Sequence, residues 1–393
     1  MSIATAIQNA QTKVANAYTA VNGKGGTLPV TQDLINLPTA INSIPSGTTP
    51  TGTINITTNG TYDVTNYASA NVNVSGGSIG ITREVSSGVY QVPASSFSFS
   101  LPSTATDVGT NALIYAFYSS TGLSGVDLSN LTSVTGSSAM QYAFYNCTHI
   151  TNVDLSSLTT VSGSNAMQYA FQKCTGITSI DLSSLTSVSG NTSMYYLFAE
   201  CTNLSGAIDL SSLTTVNGYQ SFGRVFYNCT HITSVDLSSL TTVSSNNAMI
   251  GVFNGCTALT SVDLGNLTTI GADTSSANYG QFAEFIKSCN NLTSITSPKL
   301  EKIYCTGGTS TTYGTFYNND KVQKMYFPKL DTITYGTGAT VSNQNACKNV
   351  FYGCTSLTEL HFAATNQTAI QASPGYSTAW GRGAGNVTIY FDL

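Results

Sequence analysis

The chain repeats itself, and the repeat length governs what it can fold into. A unit reading Phe-x-x-Cys-Thr-x-Ile/Leu-Thr-x-Val-Asp-Leu-Ser-Ser-Leu-Thr-Thr-Val recurs from Phe144, Phe171, Phe198, Phe226 and Phe253. Its cysteine falls at Cys147, Cys174, Cys201, Cys229 and Cys256, in steps of 27, 27, 28 and 27. Degenerate copies start at Phe117, Ile286, Phe316 and Phe351. Such a period marks a solenoid: one unit cannot bury its apolar side alone, and stacking makes a continuous core. Within one copy, residues 151–155 are expected to be a strand, with Val153 and Leu155 inward and Asn152 and Asp154 outward. Met140/Phe144, Met167/Phe171, Met194/Phe198 and Met249/Phe253 stand four apart. That spacing predicts a short helical turn, apolar side down on the strand layer.

The pattern Phe-x-x-Cys-Thr-x-Leu-Thr-x-Val-x-Leu resembles the BspA-type leucine-rich repeat of bacterial surface and phage proteins. The likeness covers about residues 107–362, two thirds of the chain. Ser-Ser stands where many relatives carry Leu-Pro, the proline being kept only at Pro298 and Pro328. The resemblance implies a leucine-rich-repeat solenoid, one parallel strand and one short helical turn per coil, used for binding.

The ends carry different patterns. Ile3, Ile7, Ala10, Val14, Ala17 and Val21 are spaced as a heptad seam, continued in rhythm by Leu34, Leu37, Ile41 and Ile44. The seam serves either self-association, with a trimer favoured, or packing of one amphipathic helix on its own chain. Residues 52–74 hold two alternating strands around Asn59-Gly60, a hairpin signal. This segment resembles a module of phage tail and fibre proteins; so do Gly25-Gly26-Thr27-Leu28-Pro29 and the closing residues 387–393. The resemblance implies four parts: a helical oligomerisation or attachment segment (1–47), a β connector and N-terminal cap (48–106), the solenoid (107–362) and a C-terminal cap (363–393).

Composition narrows the partners. Charged residues make up only 8%, against about 25% in typical soluble domains, yet 41% apolar residues suffice for a core. A net charge of −5 with 13 Lys and Arg argues against nucleic acid. The N-terminus reads as no secretory signal, and no run is long and apolar enough to span a membrane. Assembly in a host cytoplasm and action outside the cell, as part of a virion, is the expectation.

Four sets of residues could carry chemistry. The nine cysteines include no C-x-x-C pair, and stacked copies lie about 4.8 Å apart, outside disulfide geometry; a buried ladder of free thiols is expected, with Ser120 and Asn319 replacing Cys in outer copies. Asp127, Asp154, Asp181, Asp209, Asp236 and Asp263 form a second ladder, either a solvated strip bonded by Ser and Thr or a track for cations. No metal or cofactor is expected. A hydrolase needs two carboxyls in unlike environments, and these are equivalent; His149, His231 and His361 lie near no nucleophile motif. The Thr pairs, Thr159-Thr160 and Thr241-Thr242, are expected to point to opposite faces rather than to make an ice-binding ladder.

The loops break the monotony. Five gaps between the repeat's Val and the next Phe hold nine residues, and the last three hold 15, 12 and 17 (residues 271–285, 304–315 and 334–350). All three enter at one point of the coil and are rich in Tyr, Ser, Gly and Asn, the residues of adaptable binding loops, although they could equally just relax the solenoid's end. Tyr279, Tyr304, Tyr313 and Tyr335, with Trp380 and Tyr376 in the terminal cap, are the candidate ligand-binding residues. The reading is a phage tail-fibre or receptor-binding protein, not an enzyme, that recognises a host-surface glycan or protein. A purely structural fibre or capsid decoration, and a polysaccharide-degrading spike, stay open as alternatives.

Overall fold

The computed structural model describes residues 53–56, 69–72, 97–101, 105–120, 122–270, 282–305, 315–335, 350–381 and 386–393. The heptad residues Ile3 to Val21 lie outside them, as do Tyr279 and Tyr313. Within residues 52–393, the described coils have three sides: a front strand, a short side strand and a ribbon of turns.

Among the described residues there are thirteen front strands, parallel wherever they pair. They are β1 (Thr53–Ile56), β2 (Ser69–Val72), β3 (Phe97–Ser100), β4 (Leu123–Asp127), β6 (Asn152–Asp154), β8 (Ser179–Asp181), β10 (Ser205–Asp209), β12 (His231–Asp236), β14 (Ser261–Asp263), β16 (Ser294–Thr296), β18 (Lys324–Phe327), β20 (Glu359–Phe362) and β21 (Thr388–Phe391). The side strands are β5 (Ser133–Val134), β7 (Thr160–Val161), β9 (Ser187–Val188), β11 (Thr215–Val216), β13 (Thr242–Val243), β15 (Thr269–Ile270), β17 (Lys302–Cys305) and β19 (Thr332–Tyr335). Val153 and Leu155 are buried and Asn152 is exposed, as strand alternation requires. The 28-residue coil is a bulge: the register of β10 against β12 shifts at Gly206, whose φ of +86° suits glycine.

Three expectations need correction. First, β1 and β2 pair in parallel, not as a hairpin, and β3 joins them to β4. The twelve residues between them allow the crossover that a parallel pair needs. The stack of strands thus begins before residue 107. Second, the Thr241-Thr242 pair does not point apart. The Oγ1 atoms of Thr241 and Thr242 are 3.5 Å from each other, because the first threonine sits at a corner before the strand begins. That first hydroxyl is engaged: Thr159, Thr186, Thr214 and Thr241 each donate to the matching carbonyl of the preceding coil at 2.9–3.2 Å.

Third, the expected helical turn is a ribbon of turns. An α-helix keeps its N–H groups within the helix, bonded to i−4. Here alternate donors leave the coil: the N–H groups of Ser138, Met140, Tyr142, Phe144 and Asn146 reach carbonyls of the next coil at 2.6–3.0 Å. The donors between them close i→i−3 turns, such as Ala143 to Met140 at 3.0 Å. Every fourth residue takes positive φ, as at Ser138 (51°), Tyr142 (55°) and Asn146 (58°). A four-residue period also puts i and i+4 on one side, so Met140 and Phe144 are both buried. The spacing was informative; the conformation behind it was not the helical one.

Inside, each slot of the repeat stacks on its copies. Phe117, Phe144, Phe171, Phe198, Phe226 and Phe253 form one column with centroids 4.9–6.1 Å apart and planes within 10°. Burial of each such ring contributes on the order of 1.5–3 kcal/mol. Glycine fills the corner after β5, β7, β9 and β11, where coils nearly touch: a Cβ on Gly163 would lie 2.2 Å from the Gly136 carbonyl oxygen. At the far end the core is closed by a cap of α1 (Gln367–Gln371) and a 3-10 segment (Tyr376–Gly381), with Trp380 wholly buried against Phe351 and Phe362.

Candidate functional site

The buried cysteines are hydrogen-bond donors as well as packing. In each of seven copies the thiol donates to the carbonyl of the Phe-slot residue one coil back: Cys147 to Phe117 (2.9 Å), Cys174 to Phe144 (2.9 Å), Cys201 to Phe171 (3.1 Å), Cys229 to Phe198 (3.0 Å), Cys256 to Phe226 (3.1 Å), Cys289 to Phe253 (3.0 Å) and Cys354 to Phe316 (2.9 Å). All seven are free thiols, and burial drives those of Cys229 and Cys289 up to about 12. Neutral, enclosed thiols make poor nucleophiles and poor metal ligands. Asn319 shows what the slot requires: its Nδ2 donates to Ile286 at 2.8 Å while its Oδ1 accepts from the Cys289 N–H at 3.0 Å.

The aspartate ladder occupies the end of the front strands, in register from Asp127 to Asp154 to Asp181 and again from Asp209 to Asp236 to Asp263. Each carboxylate is committed locally, accepting the N–H two residues on (Ser129, Ser156, Ser183, Ser211, Ser238 and Gly265) at 2.8–3.0 Å. These Asx turns end the strands. Hydrogen bonds from Ser129 and Ser211 hold Asp127 and Asp209 below the usual carboxylate range. Two equivalent carboxyls shifted the same way do not make an acid and a base. Among the described residues, no three of His, Cys, Asp and Glu converge to hold a metal ion, and no helix is long and apolar enough to cross a membrane.

The ribbon side carries a row that sequence reasoning missed. Tyr115, Tyr142, Tyr169 and Tyr196 occupy the same positive-φ slot and stack at 4.6–5.3 Å with planes within 17°. Arg224 takes the next slot over Tyr196 and Tyr227, and its guanidinium lies 3.8 Å from buried Glu284. The signal was available as a tyrosine two residues before each of Phe117, Phe144, Phe171 and Phe198. Because the rings stack along the row, their faces are spent on one another, and the row offers a ligand mainly phenolic edges. Burial, first, and neighbouring rings, second, push the Tyr142 phenol up to about 12.

The predicted binding residues are not gathered by the described structure into one place. The three long gaps do leave the coil at one corner, between a side strand and its ribbon, after Ile270, Cys305 and Tyr335. Tyr304 is half-buried in β17, opposite Thr334 of β19; Tyr335 ends β19, its side chain outside the description. Trp380 needs correction as a ligand-binding candidate: it is 0% exposed and fills the cap, because an indole that large contributes more as core than as surface. Tyr376 packs edge-on against it at 5.8 Å, partly buried.

A different cluster stands on the front face of the last coils. Tyr326, His361 and Tyr390 are paired in register on β18, β20 and β21 and stack at 4.6 Å each. His361 is held by Asp392 (2.9 Å) and Glu359 (3.1 Å), and Lys324 pairs with Glu359 at 2.9 Å. The hydrogen bonds given by Lys324 and His361 keep Glu359 below its usual range. By contrast, His149 and His231 bond chiefly to threonine neighbours.

The profile of the BspA type leucine rich repeat region matches residues 84–224 and 194–336, in six copies. No curated protein matches the chain. Among solved structures, a leucine rich cell surface protein of Faecalibacterium prausnitzii is 16% identical, covering 81% of this chain and 89% of that one at a TM-score of 0.31. The pneumococcal vaccine antigen PcpA is 14% identical, covering 88% and 91% at 0.33. A leucine-rich repeat protein of Bacteroides ovatus is 14% identical, covering 80% and 92% at 0.22. Scores this low carry no residue-by-residue correspondence. The profile match spans well over half of the 393 residues, and its repeats are those read from the sequence and seen as coils; the chain belongs to the BspA-type leucine-rich-repeat family.

Proposed function

We propose that the chain is a non-enzymatic binding scaffold on a phage particle, a tail-fibre or receptor-binding protein that engages a polymer or protein on the host surface. The observation that carries the binding reading is the division of labour across the coil. The interior, the thiols and the aspartates are committed to holding the stack. Variable length and the densest positive charge gather in the last coils, where six lysines stand against four carboxylates in residues 282–335. The virion placement rests on the likeness of residues 25–29, 52–74 and 387–393 to phage proteins. The N-terminal segment would anchor and trimerise the chain.

Electron microscopy of particles with an antibody against residues 107–362 tests this. Label at the tail tip is expected. Label on the capsid would favour a decoration protein, and unlabelled particles would remove the virion reading. Replacing Tyr279, Tyr304, Tyr313 and Tyr335 together by Ala should abolish adsorption to host cells if the insertion corner makes the contact.

A further inference from the structure

The front sheet is interrupted twice among the described residues, after β8 and after β16. At each interruption the central apolar residue of the preceding strand, Ile180 or Ile295, is only partly buried, unlike Val153, Ile208, Val235 and Val262. The two differ in what faces them. At the first, the Ser205 N–H still reaches the Thr178 carbonyl at 3.2 Å, and the following strand presents Gly206 and Ala207. At the second, no backbone hydrogen bond joins the described residues of β16 and β18, and a groove opens between them.

That groove has the makings of a site. One wall is Ile295 with the hydroxyls of Thr293 and Ser294; the other is Gln323, Lys324 and Tyr326, with Lys321 at the rim. Tyr326 is 48% exposed, and one face of its ring is covered by His361 on the β20 side. Its opposite face turns towards β16 and the groove. In the tyrosine row of the ribbon side, interior rings have both faces covered; here one face is open beside polar groups. Among the described residues the Lys321 ammonium is bonded to the neutral Asn291 amide, at 2.5 Å, which does not compensate its charge, whereas Lys324 is paired with Glu359.

We propose that the gap between β16 and β18 is a subsite for an acidic saccharide, in which a pyranose ring stacks on the open face of Tyr326 and a carboxylate is held by Lys321. Pyranose C–H faces suit an aromatic plane, the hydroxyls of Thr293 and Ser294 and the Gln323 amide suit ring hydroxyls, and an ammonium without a carboxylate partner suits a uronate or sialate. This deepens the host-polymer reading and rests on it for its biological setting.

Calorimetry on the full chain decides it, with galacturonate oligomers, glucuronate-containing oligosaccharides and a sialyl-oligosaccharide as probes, each beside its neutral analogue. At least one acidic probe should bind and its neutral analogue should bind more weakly. Tyr326→Ala should weaken that binding at least about tenfold, in the range of an aromatic hot spot. Lys321→Gln should abolish the preference for acid, and Tyr390→Ala, at the other end of the aromatic row, should change nothing. Thermal unfolding midpoints check that the variants fold. No binding by any acidic probe, equal binding of neutral analogues, or indifference to Tyr326→Ala overturns the proposal, as does a bound extended peptide that displaces the saccharide without needing Tyr326. The host-polymer reading is separable: particles carrying Tyr326→Ala that adsorb normally would leave the scaffold standing and remove the groove's role.

Discussion

The coils up to residue 270 and those after residue 282 are built from one repeat but solve different problems. The first group is redundant. Most of its slots hold the same side chain coil after coil, its aromatic faces cover one another, and in residues 107–270 two cations (Lys173 and Arg224) stand against eight carboxylates. The second group departs from its own pattern. The phenylalanine column turns edge-on between Phe253 and Phe285, Ile286 takes a Phe slot, Thr296 and Tyr326 replace the ladder aspartate, and the front sheet opens. Regularity stabilises a solenoid because every neighbour interaction is repeated. Irregularity is where a surface can be specific. The contrast therefore separates residues that keep the stack from residues free to recognise something.

The contrast can be broken most severely at the glycine corner. Gly163→Val should prevent neighbouring coils from closing, costing well over about 3 kcal/mol and most of the soluble yield, since backbone of the adjacent coil occupies the space. Ser245, which takes the same slot three coils later with a side chain already in place, should tolerate Ala at under about 1 kcal/mol. Midpoints of chemical unfolding measure both. A mild Gly163→Val would mean that neighbouring coils are less tightly registered at this corner than the close approach of their backbones requires.

Next comes the slot shared by thiols and Asn319. Asn319→Ala should cost roughly 2–3 kcal/mol, because it strands the buried Cys289 N–H and removes two donated bonds. Cys174→Ala should cost only about 1–2 kcal/mol, a small cavity and one weak bond. If the cysteine variant is the worse of the two, the thiol's role is more than packing and a single hydrogen bond. Alkylation provides a second check: Cys147 to Cys256 should resist reagent in the native chain and label fully in denaturant without reductant.

Smaller effects follow from titration. The folded Tyr142 phenol ionises about two pH units above an ordinary one, so the fold favours its neutral form. That contribution is complete below pH 10 and is lost as pH rises towards about 12, which absorbance near 295 nm recorded with unfolding should reveal. Asp127 and Asp209 work in the opposite direction. Their lowered values add stability above the ordinary carboxylate value of 3.8, lost on further acidification. Asp209→Asn should therefore flatten the acid limb only slightly. A large loss at neutral pH would show that the carboxylate does more than cap its turn.

What could be read in advance follows from what repetition encodes. The Cys and Phe spacing specified coil length, and the alternation of Asn152, Val153, Asp154 and Leu155 specified the front strand, because both depend on one coil alone. The ribbon was misread because a spacing of four is common to a helical face and to a chain of turns, and only the bonds from Met140 and Phe144 to the next coil distinguish them. The tyrosine row was present in plain spacing and went unused, whereas the gap beside Tyr326 depends on whether two strands pair, which no single coil encodes. Tyr304 and Trp380 were chosen for residue type, and burial is a property of the stack.

The forward reach of the ribbon's N–H groups gives the molecule a direction in time. A ribosome delivers the N-terminus first, so each coil emerges with donors whose acceptors have not yet been made. Its ribbon can close only when roughly the next 27 residues have followed. The growing end thus always trails one unfinished turn, and the last of these is relieved by the cap, where the Trp380 carbonyl accepts the Phe351 N–H at 3.0 Å. Truncation is accordingly unequal at the two ends. Losing a coil from the start leaves carbonyls that water satisfies readily, while losing the cap leaves an N–H group without an acceptor beside the newly opened core.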